Sequence, residues 1–342
     1  MGSILWIRVL SRSTIVKYDD RIIHRRVERS IYYLQTKANW NNKLIEVNTI
    51  FQIIVNYFSG KEITKVSLVY KFLFIIFKNF INKKIIINFG KFKFFSYPYR
   101  KDLSRWMLKY LKPWDYDQIL SIKNILNNSK SLFLDCGSNF GSYSIVIASL
   151  CKKTQVISFD ASKKMIDRLN ENINLNRLTN IEVHNIGIGK KKSSQFFDDD
   201  DKNFKNLGSY RFIKKNGKKL ISLTSLDSFF KNKNLKKYEK IVIKLDLEGY
   251  EFEALQGLKK IIKRFKPIIF LELSKMLLDH KDFSIKKFKK FMVKNNLQLK
   301  DSKQNSASAD ILFDELKNLN EKQQTIGDYF LLDKNLVTWK IN

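Results

Sequence analysis

Apolar and polar positions change rhythm at Ser131. Beyond it, short continuous apolar runs alternate with stretches of helical periodicity. Leu132 to Leu134, Gln155 to Phe159, Ile181 to Ile186, Ile241 to Leu245 and Pro267 to Leu271 read as strands. Tyr143 to Leu150, Lys163 to Asn174, Phe252 to Phe265 and Ile285 to Asn295 read as helices. Leu297 to Lys300 and Tyr329 to Leu332 read as closing strands. Repeated βα units predict an α/β fold, doubly wound, with a mostly parallel sheet and helices on both faces. The stretch from Ile188 to Leu220 is polar and reads as a loop, with an acidic run at Asp198 to Asp201.

Upstream the signals differ. Lys84 to Asn88 and Lys91 to Phe95 are β-rich and flank Phe89-Gly90, which predicts a hairpin. A helix is expected from Asp115 to Leu126, just after Pro113. Residues 1–83 read as a helical extension of the main domain, residues 84–342. Two apolar stretches stand out there, Ile50 to Phe58 and Val66 to Phe80. The second carries Lys71 and Lys78, so it lacks the roughly 18 uninterrupted apolar residues of a spanning helix. The extension is expected to pack on the protein, to form an oligomer contact, or to lie at a membrane surface.

The chain has 342 residues, enough for one α/β domain plus an extra segment. Its 64 basic and 33 acidic residues leave a net charge of +31, which favours anionic partners. The lysines are spread along the chain, however, and Asn and Ile are abundant too. AT-rich coding DNA imposes that skew without any binding role, so nucleic acid is disfavoured as a partner. The two cysteines, Cys136 and Cys151, make neither a disulfide framework nor a metal pattern. Free thiols in a cytosolic setting are expected, and the first ten residues read poorly as a signal peptide.

The strongest candidate chemistry lies at the end of the first βα strand. Asp135, Gly137, Asn139 and Gly141 form a D-x-G-x-N-x-G turn between a buried strand and a helix. In doubly wound sheets, ligands bind at such carboxyl ends. Gly137 allows a sharp turn, Gly141 a close approach at the helix start, and free N–H groups there can receive a carboxylate. Asp135 can neutralise an amino group. Both charges belong to an amino-acid head such as that of S-adenosylmethionine. A dinucleotide site would want glycine where Asn139 stands. Asp160 ends the next strand, where an acid can accept ribose hydroxyls or act in a helix cap. Asn185 follows the third strand and is a candidate for the adenine base.

A second constellation is K-x-D-x-E-G-x-E, from Lys244 to Glu251. The strand period of two puts Lys244 and Asp246 on one face. Glu248 follows in the turn, and Glu272 ends the next strand. Asp246, Glu248 and Glu272 would then crowd together. Such a cluster can deprotonate a hydroxyl or bind a divalent metal. An internal ion pair of Lys244 is the structural alternative.

In their order, Asp135 to Gly141, Asp160, Leu226-Asp227, Lys244 to Glu251 and Glu272 resemble the FkbM-type methyltransferases. The resemblance covers roughly Lys84 to Lys334. It departs at Ser138, where the family usually has Ala, and at Asp160-Ala161, where it usually has Glu-Pro. It implies a class I, Rossmann-like sheet of seven strands and methyl transfer from S-adenosylmethionine. The acceptor it implies is a hydroxyl of a sugar, glycan or other small metabolite; among the clustered acids, Asp246 is the candidate base or metal ligand. An RNA methyltransferase and a non-catalytic assembly protein are the competing readings.

Overall fold

The computed structural model describes residues 5–8, 15–18, 84–97, 103–110, 112–127, 129–198, 211–213, 219–280, 282–301, 305–319 and 325–336. The chain divides into two compact units, residues 1–111 and 112–342. In the first, β1 (Leu5–Arg8) pairs antiparallel with β2 (Ile15–Tyr18). The two apolar stretches expected to be helical, 50–58 and 66–80, lie outside the described residues. The hairpin expected around Gly90 is present, from β3 (Ile85–Asn88) and β4 (Lys93–Ser96). Asn88 Oδ1 accepts the Gly90 N–H at 2.8 Å and closes the turn. Helix α1 (Leu103–Tyr110) follows and was not anticipated. The Ser104 hydroxyl accepts the Tyr97 N–H at 3.1 Å and ties it to the hairpin.

The second unit opens with α2 (Tyr116–Leu126). Then come β5 (Ser131–Cys136), α3 (Ser142–Leu150), β6 (Gln155–Phe159), α4 (Lys163–Asn176) and β7 (Ile181–His184). After β8 (Gly187–Ile188), β9 (Ser193–Asp198), β10 (Arg211–Ile213) and β11 (Lys219–Thr224), α5 (Leu226–Phe229) leads to β12 (Lys240–Leu245). Next are α6 (Glu251–Gln256), α7 (Lys259–Phe265), β13 (Ile268–Ser274) and α8 (Lys275–Asp279). The unit ends with α9 (Ile285–Lys294), β14 (Leu297–Lys300), α10 (Ala309–Lys317) and β15 (Thr325–Asp333).

The main sheet has seven strands in the order β14-β15-β13-β12-β5-β6-β7. The five from β13 to β7 are parallel, and β15 runs antiparallel to β13 and β14. Every residue of β5 is buried, as a central strand covered on both faces requires. From β5 the chain builds outward through β6 and β7, then returns to β12 on the other side. The carboxyl ends of β5 and β12 therefore flank the point where the winding reverses.

Two expectations need correction. The stretch from Ile188 to Leu220 is not a plain loop: β9 and β11 pair antiparallel inside a four-stranded sheet of order β10-β9-β11-β8. Only part of one face of this sheet is buried, so its sequence stays polar. The helix expected from Phe252 to Phe265 is two helices. Gly257 presses against another backbone, since a Cβ there would lie 2.2 Å from the Gly189 carbonyl oxygen. The Asp227 carboxylate then accepts the Lys260 and Ile261 N–H groups at 2.9 and 3.0 Å, which starts α7 afresh. Among the described residues, no helix is long and apolar enough to cross a membrane.

Candidate active site

Adjacent strands carry a row of polar side chains across one face of the sheet. Register aligns Ser158 with Asp135, Asp135 with Lys244, Lys244 with Phe270 and Phe270 with Phe330. One pleat nearer the carboxyl ends come Asp246, Glu272 and Asp328, the last two directly paired. The loop after β5 closes on this edge.

Asp135 is fully buried. Ser144 Oγ donates to its Oδ2 at 2.5 Å and is 2.7 Å from the Ser158 hydroxyl. Its Oδ1 has no hydrogen-bond partner and lies 3.9 Å from Lys244 Nζ. Burial raises the Asp135 pKa against the pull of Lys244. The amino group beside Asp135 is therefore that of Lys244, and this carboxylate does not face solvent. Lys244, only 3% exposed, also pairs with Asp246 Oδ2 at 2.9 Å and lies 4.7 Å from the Tyr143 ring centre. Burial works to lower its pKa, but Asp246 and Asp135 outweigh that and hold it above the ordinary lysine value. The ion pair weighed as a structural role for Lys244 is thus present, and it leaves the Asp246 side chain one-third exposed at the strand end.

Gly137 adopts φ +82°, and a Cβ there would sit 1.8 Å from the Asp246 carbonyl oxygen. The glycine brings two strand ends together, in addition to making the turn. Gly141, at φ +96°, leaves no room for a Cβ beside Leu169 of α4. Asn139 is left-handed at φ 52°. Its N–H donates to Asp160 Oδ2 at 2.8 Å, and its own Oδ1 accepts from the Phe140 N–H. Asp160 Oδ1 accepts the Ser162 N–H at 2.8 Å. Asp160 therefore clamps the glycine loop to the end of β6 with one lone pair on each oxygen. The cap of α4 falls instead to Ser162. Burial raises the Asp160 pKa to about 6 despite those two N–H donors. Asn185 is exposed, and its Nδ2 donates to the Asp160 and Ala161 carbonyls, which fixes the same corner. His184 packs in an aromatic group, stacked on Phe159 with ring centres 5.4 Å apart.

The turn after β12 explains the rest of its motif. Glu248 is left-handed at φ 52°. Gly249 has φ +100°, and a Cβ there would lie 2.8 Å from the Met276 carbonyl oxygen. Glu251 is fully buried, and its Oε1 accepts the Leu247 and Gly249 N–H groups at 2.7 and 3.2 Å. It holds the turn from inside, with its pKa pushed by burial to about 7. Glu272 is raised by burial and by its neighbours Asp246, Glu248 and Asp328.

Two contributors, Asp115 and Asp328, escaped the sequence reading. Asp115, left-handed at φ 55° ahead of α2, accepts from the Tyr143 hydroxyl at 3.3 Å. Burial carries its pKa to about 6, against Lys244. Asp328 is raised to about 8, first by burial and then by Asp115 and Asp246. A strand that begins four residues earlier than expected brings Asp328 in. Its alternation with Phe330 and Leu332 was the available signal. Among the described residues, five carboxylates, Asp115, Asp135, Asp246, Glu272 and Asp328, thus act on one buried ammonium, and Glu248 adds to the charge around Glu272. Asp246, Glu248 and Glu272 do not converge as metal ligands. Among the described residues, the one trio whose ligand atoms all lie within 4.8 Å is Glu253, His280 and Asp282.

Residues 135–299 match the family described as the methyltransferase FkbM domain. No curated protein matches the chain in sequence. Solved structures that this chain matches include an FkbM methyltransferase from Methylobacillus flagellatus, 16% identical with a TM-score of 0.37. The likeness covers 60% of this chain and 44% of that one, so the chain spans less than half of that protein. Magnesium protoporphyrin IX methyltransferase from Synechocystis with bound SAM is 12% identical at a TM-score of 0.34, over 64% of this chain and 80% of that one. Trm5b from Pyrococcus abyssi is 12% identical at a TM-score of 0.37, over 73% and 56%.

Proposed function

Because this chain carries a methyltransferase FkbM domain over residues 135–299, we propose that it transfers a methyl group from S-adenosylmethionine to a hydroxyl of a sugar, glycan or other small metabolite. The carrying observation is the electrostatic imbalance at the carboxyl ends of β5 and β12. Among the described residues, five carboxylates act on one ammonium, which suits a cationic ligand beside a glycine loop. A sulfonium donor supplies an activated methyl carbon there, and this chain's residues hold and orient what reacts. The N–H groups from Gly137 to Gly141 all donate within the protein, to the Phe159 and Ser138 carbonyls, Asp160 Oδ2 and Asn139 Oδ1, so the loop shapes the ligand edge and does not supply the free N–H groups expected for a carboxylate head. Asp160 keeps a second lone pair on each oxygen for ribose hydroxyls. Asn185 stands at the neighbouring corner, the place for a base edge. Asp246 is the one-third-exposed carboxylate next to both loop and cluster, and is assigned as the base.

The acidic rim supports a neutral or cationic acceptor over a polyanion, in spite of the net charge of +31. Metal is not assigned to the transfer. Calorimetric titration with S-adenosylmethionine and S-adenosylhomocysteine tests the reading. Binding by the wild type, weakened at least tenfold in Asp160→Ala, is expected. A folded wild type that binds neither ligand would remove the proposal.

A further inference from the structure

Glu272 and Asp328 are an unusual pair. Antiparallel β13 and β15 place them directly opposite each other on one face. Opposite positions in such a pair bring Cβ atoms to about 4.5–5.5 Å, and like charges there repel. Among the described residues, no ion pair reaches either carboxylate. The nearby ammonium, Lys244, is engaged at 2.9 Å by Asp246 and faces Asp135 at 3.9 Å. Asp115, Asp246, Glu248 and Glu251 add further negative charge from the surrounding elements. Two close carboxylates without their own cation cannot both ionise cheaply, which favours retention of a proton by the pair.

We propose that Glu272 and Asp328 hold one shared proton in the ligand-free protein, release it when a methyl sulfonium donor binds, and take up the acceptor's hydroxyl proton during transfer. This rests on the methyltransferase reading above. The donor's positive charge offsets the repulsion between the two carboxylates, so its arrival favours the doubly ionised pair. In the transfer, an acceptor oxygen bonds to the methyl carbon while the carbon–sulfur bond breaks with its electron pair kept by sulfur. The acceptor's proton passes by way of Asp246, the base assigned above, to the neighbouring pair. A neutral thioether then remains beside a singly protonated pair, which is the charge state of the ligand-free site. Burial and neighbouring acids raise both groups, Asp328 to about 8, in the direction of a retained proton.

The test needs no acceptor. S-adenosylmethionine and S-adenosylhomocysteine carry the same ammonium and carboxylate and differ in the sulfonium charge. Their binding heats at pH 7, measured in two buffers of different ionisation enthalpy, report the protons released by each. The wild type is expected to release about one more proton with S-adenosylmethionine than with S-adenosylhomocysteine. The difference should vanish in Asp328→Asn and in Glu272→Gln, while both variants still bind S-adenosylhomocysteine. Infrared spectra of the ligand-free protein should show a protonated carboxyl band that is lost in either variant. Equal release with both ligands would overturn the coupling, and a band surviving in one variant would assign the proton to a single residue. Absence of binding by either ligand would overturn the methyltransferase reading and the coupling together, and is recognised by the missing heat.

Discussion

Lys244 and Asp246, two residues apart on β12, form an ion pair of 2.9 Å in which the ammonium is buried and the carboxylate is one-third exposed. The same ammonium faces fully buried Asp135. Lys244 is therefore the counter-charge that allows carboxylates to collect at this sheet edge. Substituting Lys244→Met would leave Asp135 and Asp246 uncompensated. A loss of about 3–5 kcal/mol of stability is expected at pH 8. Urea denaturation at pH 5 should show a smaller loss, because Asp135, already raised by burial, can then protonate. Adding Asp135→Asn should restore part of the difference.

Gly137 is needed for packing as well as for its turn. An alanine methyl would overlap the Asp246 carbonyl oxygen at 1.8 Å, in a backbone conformation of φ +82°. Gly137→Ala is expected to abolish ligand binding and to cost more than 2 kcal/mol. Gly90→Ala is the control: it has a similar φ but open space around it, so only about 1 kcal/mol should be lost. Equal thermal shifts for the two variants would refute the packing role.

Glu251 links stability to pH. Its folded pKa, about 7, lies above its ordinary 4.5. The folded state therefore binds that proton more tightly than the unfolded chain. The stability contributed by the neutral form is complete below about 4.5 and declines as pH rises through 7. The change is on the order of 3 kcal/mol. Glu251→Gln keeps an acceptor for Leu247 and Gly249 but does not titrate. Relative to the wild type, it should gain stability between pH 5 and pH 8 in paired denaturation curves at one ionic strength.

Asp227 acts at a distance in sequence. Its carboxylate accepts two N–H groups at the start of α7, more than thirty residues downstream. Asp227→Ala should cost about 1–2 kcal/mol. Amide exchange should accelerate at Lys260 and Ile261, with little change at the main site.

The glycine loop, the Lys244 to Glu251 motif and the alternation of strands with helices were legible because each depends on neighbours in sequence. A buried strand needs a continuous apolar run, and a left-handed turn favours Gly or Asn, so these features leave a local trace. The side sheet from Ser193 to Thr224 left little, because its exposed faces keep the composition of a loop. The break at Gly257 was hidden for another reason: the competing cap comes from Asp227.

The sequence by itself determined the α/β winding, the position of the ligand edge and the candidacy of Asp135, Asp160, Asp246 and Glu272. Periodicity and turn chemistry carry that information without folding. The tertiary structure alone decided what each acid does. It sealed Asp135 against Lys244, used Asp160 to clamp the glycine loop, and turned Glu251 inward. It also brought Asp115 and Asp328 to the same edge from opposite ends of the unit. A carboxylate's role follows from its burial and its nearest charges, and those are fixed only when distant strands come into register.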